Sequence, residues 1–282
     1  MRLTVALLLI CTIILSSCTP NSSSHSIKLN QYKKSVLMEI EHLPVNFIPK
    51  EMTIVSVGDS LTEGVGDSTK RGGYVPYLKE MLEMDKGISA ATFYNFGVKG
   101  NRSDQLLNKL GTKKVKKAVN EADIVIVTIG GNDVMKVVRE NFSNLNLKAF
   151  EKQNTIYKRN LADVIQRIRQ ENENCSIVLV GLYNPFTTWF ANVHELNEII
   201  NDWNQSSEKI LAEYSDAYFV KVDDIFQRGG VALLYTDYFH PNDKGYELMA
   251  ERVHATISTD VLNQPFEQSL KVENEENEEN VN

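Results

Sequence analysis

Short apolar runs and stretches of helical periodicity alternate along most of this chain. The runs DIVIVTI and SIVLVG are the strongest, and three shorter or weaker ones complete the set. Near-continuous apolar runs of this length are typical of strands buried on both faces, as in a parallel sheet. The pattern therefore predicts five strands, at residues 52–57, 92–95, 123–129, 176–181 and 217–222.

Between and after these runs, apolar residues recur at spacings of three and four. This period predicts amphipathic helices within residues 157–168, 193–214 and 246–257. Alternating strands and helices predict an α/β fold: a three-layer α/β/α sandwich around a five-stranded parallel sheet. No internal repeat and no linker rich in Pro or Gly divides residues 52–259, so we expect one domain.

The first 18 residues have the order of a lipoprotein signal peptide. Arg2 supplies a positive start, residues 3–15 are apolar but too short to span a bilayer, and Leu15-Ser16-Ser17-Cys18 resembles a bacterial lipobox. That resemblance implies cleavage before Cys18 and attachment of lipid to its thiol. The alternative is an uncleaved N-terminal anchor in which Cys18 is incidental. We therefore expect an exported protein, lipid-anchored to the outer face of the cell membrane.

The segments on either side of the domain differ from it in composition. After the signal peptide (1–17), residues 18–50 begin with a stretch rich in Ser and Asn and are interpreted as a tether and lead-in. Residues 263–282 end in KVENEENEENVN, which contains too few apolar side chains to form a core, and we expect an acidic disordered tail. The predicted hydrolytic domain, argued below, covers residues 51–262.

Composition and charge exclude several classes of protein. With 42% hydrophobic and 24% charged residues, the 282-residue chain has the composition of an ordinary folded protein. Its formal net charge of -7 argues against a nucleic-acid-binding protein, which needs a basic surface. Three cysteines are too few for a disulfide scaffold and are not spaced as a zinc site. Cys175 is interpreted as a structural thiol.

Chemically useful residues follow four of the five predicted strands. In a parallel α/β sheet, ligands bind at the carboxyl ends of the strands, so these residues are expected to converge. A hydroxyl, glycines, an amide and an Asp/His pair are the parts that acyl transfer needs. The four blocks are Gly58-Asp59-Ser60-Leu61, the segment 95–101 (NFGVKGN), Gly130-Gly131-Asn132-Asp133, and the segment 237–241 (DYFHP).

Together the four blocks resemble those of the SGNH hydrolases, also called the GDSL esterase/lipase family. The resemblance covers about residues 52–259, with the blocks in the family's order. It implies a flavodoxin-like sandwich and a hydrolase of ester or acyl groups that uses no metal and no cofactor. The nucleophile elbow Gly-x-Ser-x-Gly of α/β-hydrolases is absent, because Thr62 stands at its last position. Walker A, GxGxxG and HExxH motifs are absent as well.

By this resemblance, Ser60 is the nucleophile, His240 the general base and Asp237 the carboxylate that orients His240. A histidine suits this role because its pKa of about 6.5 allows it to accept a proton near neutrality. The alternative for Ser60 is a simple helix N-cap. Asp59 and Asp133 are expected to support the loops rather than take part in the reaction.

The resemblance also implies an oxyanion hole made by the backbone N–H groups of Ser60 and Gly100 and the side-chain amide of Asn132. Gly97 lies in the same loop as Gly100 and remains an alternative donor. Asn132 has an alternative role too, since an Asn after two glycines tolerates a left-handed backbone.

The predicted function is a serine esterase acting on carboxylic esters at the cell envelope. A small acyl group, for example an acetyl group on an envelope glycan, is the first expectation, and a lysophospholipid is also considered. The alternatives are a thioesterase or lysophospholipase that prefers long acyl chains, and a non-catalytic envelope-binding lipoprotein. Residues 183–190 and Gly72-Gly73-Tyr74 are candidate walls of the substrate pocket. We expect a monomer whose partners are the ester substrate and the membrane, with no nucleic acid.

Overall fold

The computed structural model describes residues 49–142, 146–185 and 195–262. Its strands form one parallel sheet in the order β2-β1-β3-β4-β5. This is the strand order of flavodoxin-like doubly wound folds, so the predicted fold class is confirmed. The strands are β1 (Lys50–Gly58), β2 (Ile88–Gly97), β3 (Ile124–Thr128), β4 (Ser176–Val180) and β5 (Ala217–Val220).

The sheet is buried on both faces because successive strand residues enter two separate cores. On β1, for example, Val55 and Val57 face one core and Ile54 faces the other. Helices α3 to α7 cover the first face, and α2, α8 and α9 cover the second. The helices are α1 (Ser60–Glu63), α2 (Tyr74–Met84), α3 (Ser103–Leu110), α4 (Lys113–Asn120), α5 (Gly131–Glu140), α6 (Leu147–Glu171), α7 (Glu195–Leu211), α8 (Asp223–Gly229) and α9 (Asp243–Thr256). A 3₁₀ turn (Gly230–Leu233) and a π-helical turn (Ile257–Leu262) follow α8 and α9.

Differences from the sequence prediction have local causes. The weak run at 92–95 lies within the longer strand β2, which is at the sheet edge and is therefore only partly buried. Helix α4 was missed although Val115, Ala118 and Val119 recur at helical spacing, because this apolar stripe belongs to a helix of only eight residues. Helix α6 begins ten residues before the predicted stripe at 157–168.

Some predictions concern residues that lie outside the described part of the chain. The signal peptide, Cys18, most of the tether and the acidic tail belong to residues 1–48 and 263–282. Within the described ranges, no helix is both long and apolar enough to cross a membrane.

Candidate active site

Ser60 is the first residue of α1, directly after the tight turn at Gly58 and Asp59 that follows β1. Asp59 caps α1 by accepting a hydrogen bond from the backbone N–H of Leu61, at 3.0 Å. Gly58 has a φ of +150°, and a Cβ at this position would lie 2.2 Å from the carbonyl oxygen of Thr128. Only glycine therefore allows β1 to pass this close to the end of β3, which sets the direction in which the chain enters the Ser60 turn.

The structure brings Ser60, His240 and Asp237 into one chain of hydrogen bonds. His240 Nε2 lies 2.9 Å from Ser60 Oγ, and His240 Nδ1 lies 2.6 Å from Asp237 Oδ2. Asp237 Oδ1 also accepts the backbone N–H groups of Phe239 and His240, each at 3.0 Å. The carboxylate thus holds both the imidazole ring and the backbone that carries it.

The charge of Asp237 suits this arrangement. Partial burial raises the pKa of Asp237, but hydrogen bonds from the His240 ring and from the N–H groups of Phe239 and His240 outweigh burial, and the pKa lies below its ordinary value of 3.8. Near neutrality the carboxylate is ionised and accepts the Nδ1 proton. His240 Nε2 then presents its lone pair to Ser60, as proton transfer from the hydroxyl requires.

The two candidate glycines of the second block have different surroundings. A Cβ on Gly97 would lie 2.1 Å from the backbone nitrogen of Glu63, so Gly97 is needed for close packing of β2 against α1. Gly100 has a φ of +81°, and a Cβ there would meet no atom within 4 Å. Of the two, Gly100 is therefore the residue whose backbone borders open space, as an oxyanion donor must.

Asn132 is buried at the start of α5 and lines the same pocket as Ser60. One N–H of its amide donates to the carbonyl oxygen of Asn101, at 3.0 Å, which leaves the second N–H for a ligand. The positive φ of this turn falls on Gly130, so the turn itself does not require an Asn. Within the described ranges, the backbone N–H groups of Ser60 and Gly100 also donate to no protein acceptor.

A chain of buried hydroxyl groups supports the Ser60 turn from behind. Thr128 Oγ1 donates to Asp59 Oδ1 at 2.9 Å and also lies 2.7 Å from Thr62 Oγ1. The Thr62 hydroxyl in turn lies 3.2 Å from the Tyr74 hydroxyl. Burial raises the pKa of Asp59 to about 7 despite these hydrogen bonds. Tyr74 has no exposed surface and does not line the pocket, so the prediction that it forms a pocket wall is wrong.

Asp133 supports the neighbouring turn. Its two carboxylate oxygens accept the backbone N–H and the hydroxyl of Ser103, at 2.9 and 2.8 Å, and so join the start of α5 to the start of α3. Burial raises the pKa of Asp133 as well. Asp59 and Asp133 therefore occupy the supporting positions expected of them. Thr128 and Ser103 were missed, although Thr128 is the single hydroxyl in the apolar run of β3.

A largely apolar pocket opens beside Ser60, between the ends of β3 and β4. Its polar end contains Asp59, Ser60, Thr128 and Asn132. Tyr183 belongs to the predicted pocket segment 183–190 and does line the pocket, whereas residues 186–190 lie outside the described part. The apolar lining includes Val134, Met135, Leu182, Tyr183, Ile200 and Phe239.

Two other reactive residues in the described ranges, His254 and Cys175, have structural surroundings. His254 Nε2 lies 3.0 Å from Asp85 Oδ2 and joins α9 to the end of α2. Cys175 is buried. In the described part of the chain, no group of three or more His, Cys, Asp or Glu side chains is placed to hold a metal ion.

Comparison with known proteins agrees with the fold and the site described above. Residues 56–248 match the model of the GDSL-like lipase/acylhydrolase family. The chain belongs to this family of hydrolases. This GDSL hydrolase is 36% identical to the uncharacterised protein YpmR of Bacillus subtilis, over 92% of its own length and 94% of YpmR. It is 26% identical to the spore germination lipase LipC of Bacillus licheniformis, over 71% of its length and 93% of LipC.

Among solved structures, this GDSL hydrolase is similar to the lipase Lip_vut3 from a goat rumen metagenome. The TM-score is 0.65 at 24% identity, and the match covers 72% of this chain and 96% of the lipase. At that identity the likeness concerns the fold, and it agrees with the observed strand order.

Proposed function

We propose that this GDSL hydrolase is a serine esterase, with Ser60 as the nucleophile. The observation that carries the proposal is the hydrogen-bond chain from Ser60 Oγ through His240 to Asp237, with distances of 2.9 and 2.6 Å. A nucleophile, its base and an orienting carboxylate in this order are what covalent acyl transfer requires. LipC, a relative over most of the chain, is a lipase, which supports an ester as the substrate.

The proposed reaction has two steps. His240 Nε2 accepts the Ser60 proton while Oγ attacks the ester carbonyl, and the oxyanion receives hydrogen bonds from the N–H groups of Ser60 and Gly100 and from the Asn132 amide. Collapse of this intermediate breaks the carbon–oxygen bond, and the leaving alcohol takes the proton from His240. Water, deprotonated by His240, then attacks the acyl-enzyme and releases the carboxylic acid and Ser60.

The pocket supports an acyl chain longer than acetyl. Among the described lining residues, those beyond the Ser60 end are mainly apolar, including Met135, Ile200 and Leu182. Each buried methylene contributes about 0.8 kcal/mol, or roughly a fourfold gain in kcat/KM. Of the acyl classes that the sequence left open, the lining therefore favours the longer one. A thioester of the same acyl group fits the same pocket.

An acyl-chain series tests this proposal. We expect kcat/KM for p-nitrophenyl esters to rise from acetate to hexanoate in the wild type, and turnover to be lost in the Ser60→Ala variant. Ser215→Ala is the matched control, since Ser215 is exposed and lies near the amino end of β5, away from the site. Undiminished hydrolysis by the Ser60→Ala variant would exclude Ser60 as the nucleophile. A purely binding function predicts no turnover by the wild type.

The location of the protein is a separate part of the proposal. The order of Arg2, the apolar segment 3–15 and Leu15-Ser16-Ser17-Cys18 supports export and lipid attachment at Cys18. Expressed in a bacterial host, the wild type is expected in the membrane fraction, with acyl groups detected on Cys18 by mass spectrometry. Cys18→Ala is expected to lose the acyl groups. A mature wild-type protein without acyl groups would contradict this assignment.

A further inference from the structure

The hydroxyl of Tyr183 reaches the loop that carries His240. It donates to the backbone carbonyl oxygen of Phe239, the residue directly before His240, at 2.6 Å. Tyr183 follows the end of β4, which is an interior strand of the sheet, whereas Phe239 lies 56 residues further along the chain. The bond therefore joins the carboxyl end of an interior strand to the backbone beside the proposed base.

The loop around His240 contains a strained residue. Tyr238 has a φ of +53°, in the left-handed region that favours glycine, and such a conformation persists only where surrounding contacts impose it. One of those contacts is Asp237 Oδ1, which accepts the N–H groups of Phe239 and His240. The side chain of Asp237 is 40% exposed, so water competes for these bonds. The Phe239 carbonyl is held instead by a buried residue, Tyr183.

Tyr183 is itself fixed in two ways. Its ring stacks on that of Phe226 in α8, with centroids 3.9 Å apart and the planes at 20°, and both residues are buried. The backbone N–H and carbonyl of Leu182 exchange two hydrogen bonds with the buried side-chain amide of Asn204 in α7, each at 2.8 Å. Because the ring and the backbone before it are both held, the hydroxyl fixes the position of the carbonyl that it contacts.

The same bond decides what the Tyr183 hydroxyl can do in the reaction. A phenol has one proton, and Tyr183 donates it to the Phe239 carbonyl, which leaves none for an oxyanion. Burial raises the pKa of Tyr183 well above its ordinary value of 10, so near neutrality the phenol keeps its proton and is not a base. The Phe239 ring meets the His240 ring edge-on, with centroids 4.9 Å apart. Tyr183 is thus placed to act on His240 through Phe239.

On the basis of the function proposed above, we propose that Tyr183 is a positioning residue for His240, which it holds against Ser60 through the Phe239 carbonyl. In each cycle His240 Nε2 accepts a proton twice and returns it twice, and each transfer needs Nε2 within hydrogen-bond reach. A displacement of about 1 Å can cost roughly 100-fold in rate. Tyr183 and Phe239 also line the acyl pocket, so the residues that hold the base belong to the wall that the acyl chain contacts.

Tyr183→Phe tests this proposal because it removes only the hydroxyl and keeps the ring in the pocket and against Phe226. We expect kcat for p-nitrophenyl butyrate to fall about tenfold, less than a full displacement would cost, because Asp237 still holds the loop. KM should stay within about twofold, since the apolar wall is unchanged. Tyr218→Phe is the matched control: the Tyr218 hydroxyl lies 3.4 Å from the exposed Asp216, at the amino end of β5 and away from the site. It should change neither constant.

A double-mutant cycle with His240→Ala separates positioning from a purely structural role. If Tyr183 acts through His240, Tyr183→Phe should slow organophosphonate labelling of Ser60 about tenfold when His240 is present and should have no effect in His240→Ala. If Tyr183→Phe is partly unfolded, as judged by its Tm, Phe226→Leu takes its place in the cycle. That variant keeps the hydroxyl but removes the stacked ring, and its fall in rate should likewise require His240.

Three results would overturn the proposal: equal falls with and without His240, an unchanged kcat in Tyr183→Phe, or a rise in KM alone. Equal falls would show that the hydroxyl supports the fold and not the base. A rise in KM alone would make Tyr183 a binding residue of the pocket. A wild type that neither hydrolyses p-nitrophenyl butyrate nor is labelled at Ser60 would instead contradict the esterase proposal itself.

Discussion

Ser60 and His240 are held in place by contrasting surroundings. Ser60 stands on a turn held by Asp59, Thr128 and Thr62, all of them buried and hydrogen-bonded to one another. The side chain of Asp237, which positions His240, is 40% exposed on a surface loop. Buried polar networks fix one geometry, because any unpaired member is costly. The interior of the protein thus fixes the position of Ser60, the proposed nucleophile, whereas His240, the proposed base, is oriented by the carboxylate of Asp237 on a surface loop.

This contrast makes Asp237 the more vulnerable support. Asp237→Asn should keep the fold and the loop backbone but place an amide against Nδ1, which no longer favours the tautomer that accepts the Ser60 proton. A fall in kcat on the order of 10⁴-fold is expected, by analogy with the same substitution in a serine protease triad. The check is kcat on p-nitrophenyl butyrate, with Asp216→Asn as the control. A fall of less than about tenfold would show that His240 is oriented by something other than Asp237.

Among the residues that support the Ser60 side, the largest effect is expected at Asn132, the proposed oxyanion donor. Asn132→Ala should lower kcat by about 100- to 1000-fold, because one donor to the developing oxyanion is lost, with little change in KM. The residual hydrogen bond to Asn101 is lost as well, so Tm is measured in parallel. If KM rose while kcat stayed constant, Asn132 would be a binding residue and not a stabiliser of the transition state.

A smaller effect concerns the free energy of unfolding. Its dependence on pH is expected to have opposite signs for Asp59, behind the Ser60 turn, and for Asp237. Burial raises the pKa of Asp59 to about 7 in the folded protein, against 3.8 as its ordinary value. The folded state therefore retains a proton that the unfolded chain releases, and the free energy of unfolding falls as pH rises from about 4 to about 7. In Asp59→Asn this slope should be reduced but not abolished, since burial raises the pKa of Asp133 in the same direction.

The measurement is urea denaturation at pH 5 and pH 7.5, at constant ionic strength. The pH dependence that Asp237 contributes has the opposite sign. Its pKa is lowered in the folded protein, so its contribution to the free energy of unfolding is present above about pH 4 and is lost as the pH falls below that value. An Asp59→Asn variant with the wild-type pH slope would mean that Asp59 is not the buried proton carrier.

Much of the site could be predicted from the sequence, because its polar residues directly follow recognisable strands. Strands β3 and β4 are continuous apolar runs, and parallel strands bring the residues that follow them to one edge of the sheet. The choice between Gly97 and Gly100 needed the structure, since it depends on contact with α1 across the turn. The same holds for the pair Thr62 and Thr128, whose hydroxyls meet across 66 residues of chain without any local pattern.

The strain at Tyr238 was also invisible in the sequence. The segment Asp-Tyr-Phe-His contains no glycine or asparagine to signal a left-handed residue. It arises only because Asp237 bonds two consecutive backbone N–H groups beyond Tyr238. A left-handed residue with such a cause has no local signal in the sequence.

Covalent labelling with a serine-directed organophosphonate tests the central claim most directly. We expect one adduct per chain, found on the peptide that contains Ser60, absent in Ser60→Ala and formed far more slowly in His240→Ala. The intact protein mass and a peptide map give both results in one experiment. An adduct on another residue, or labelling of Ser60→Ala at the wild-type rate, would contradict the assignment of Ser60 as the nucleophile.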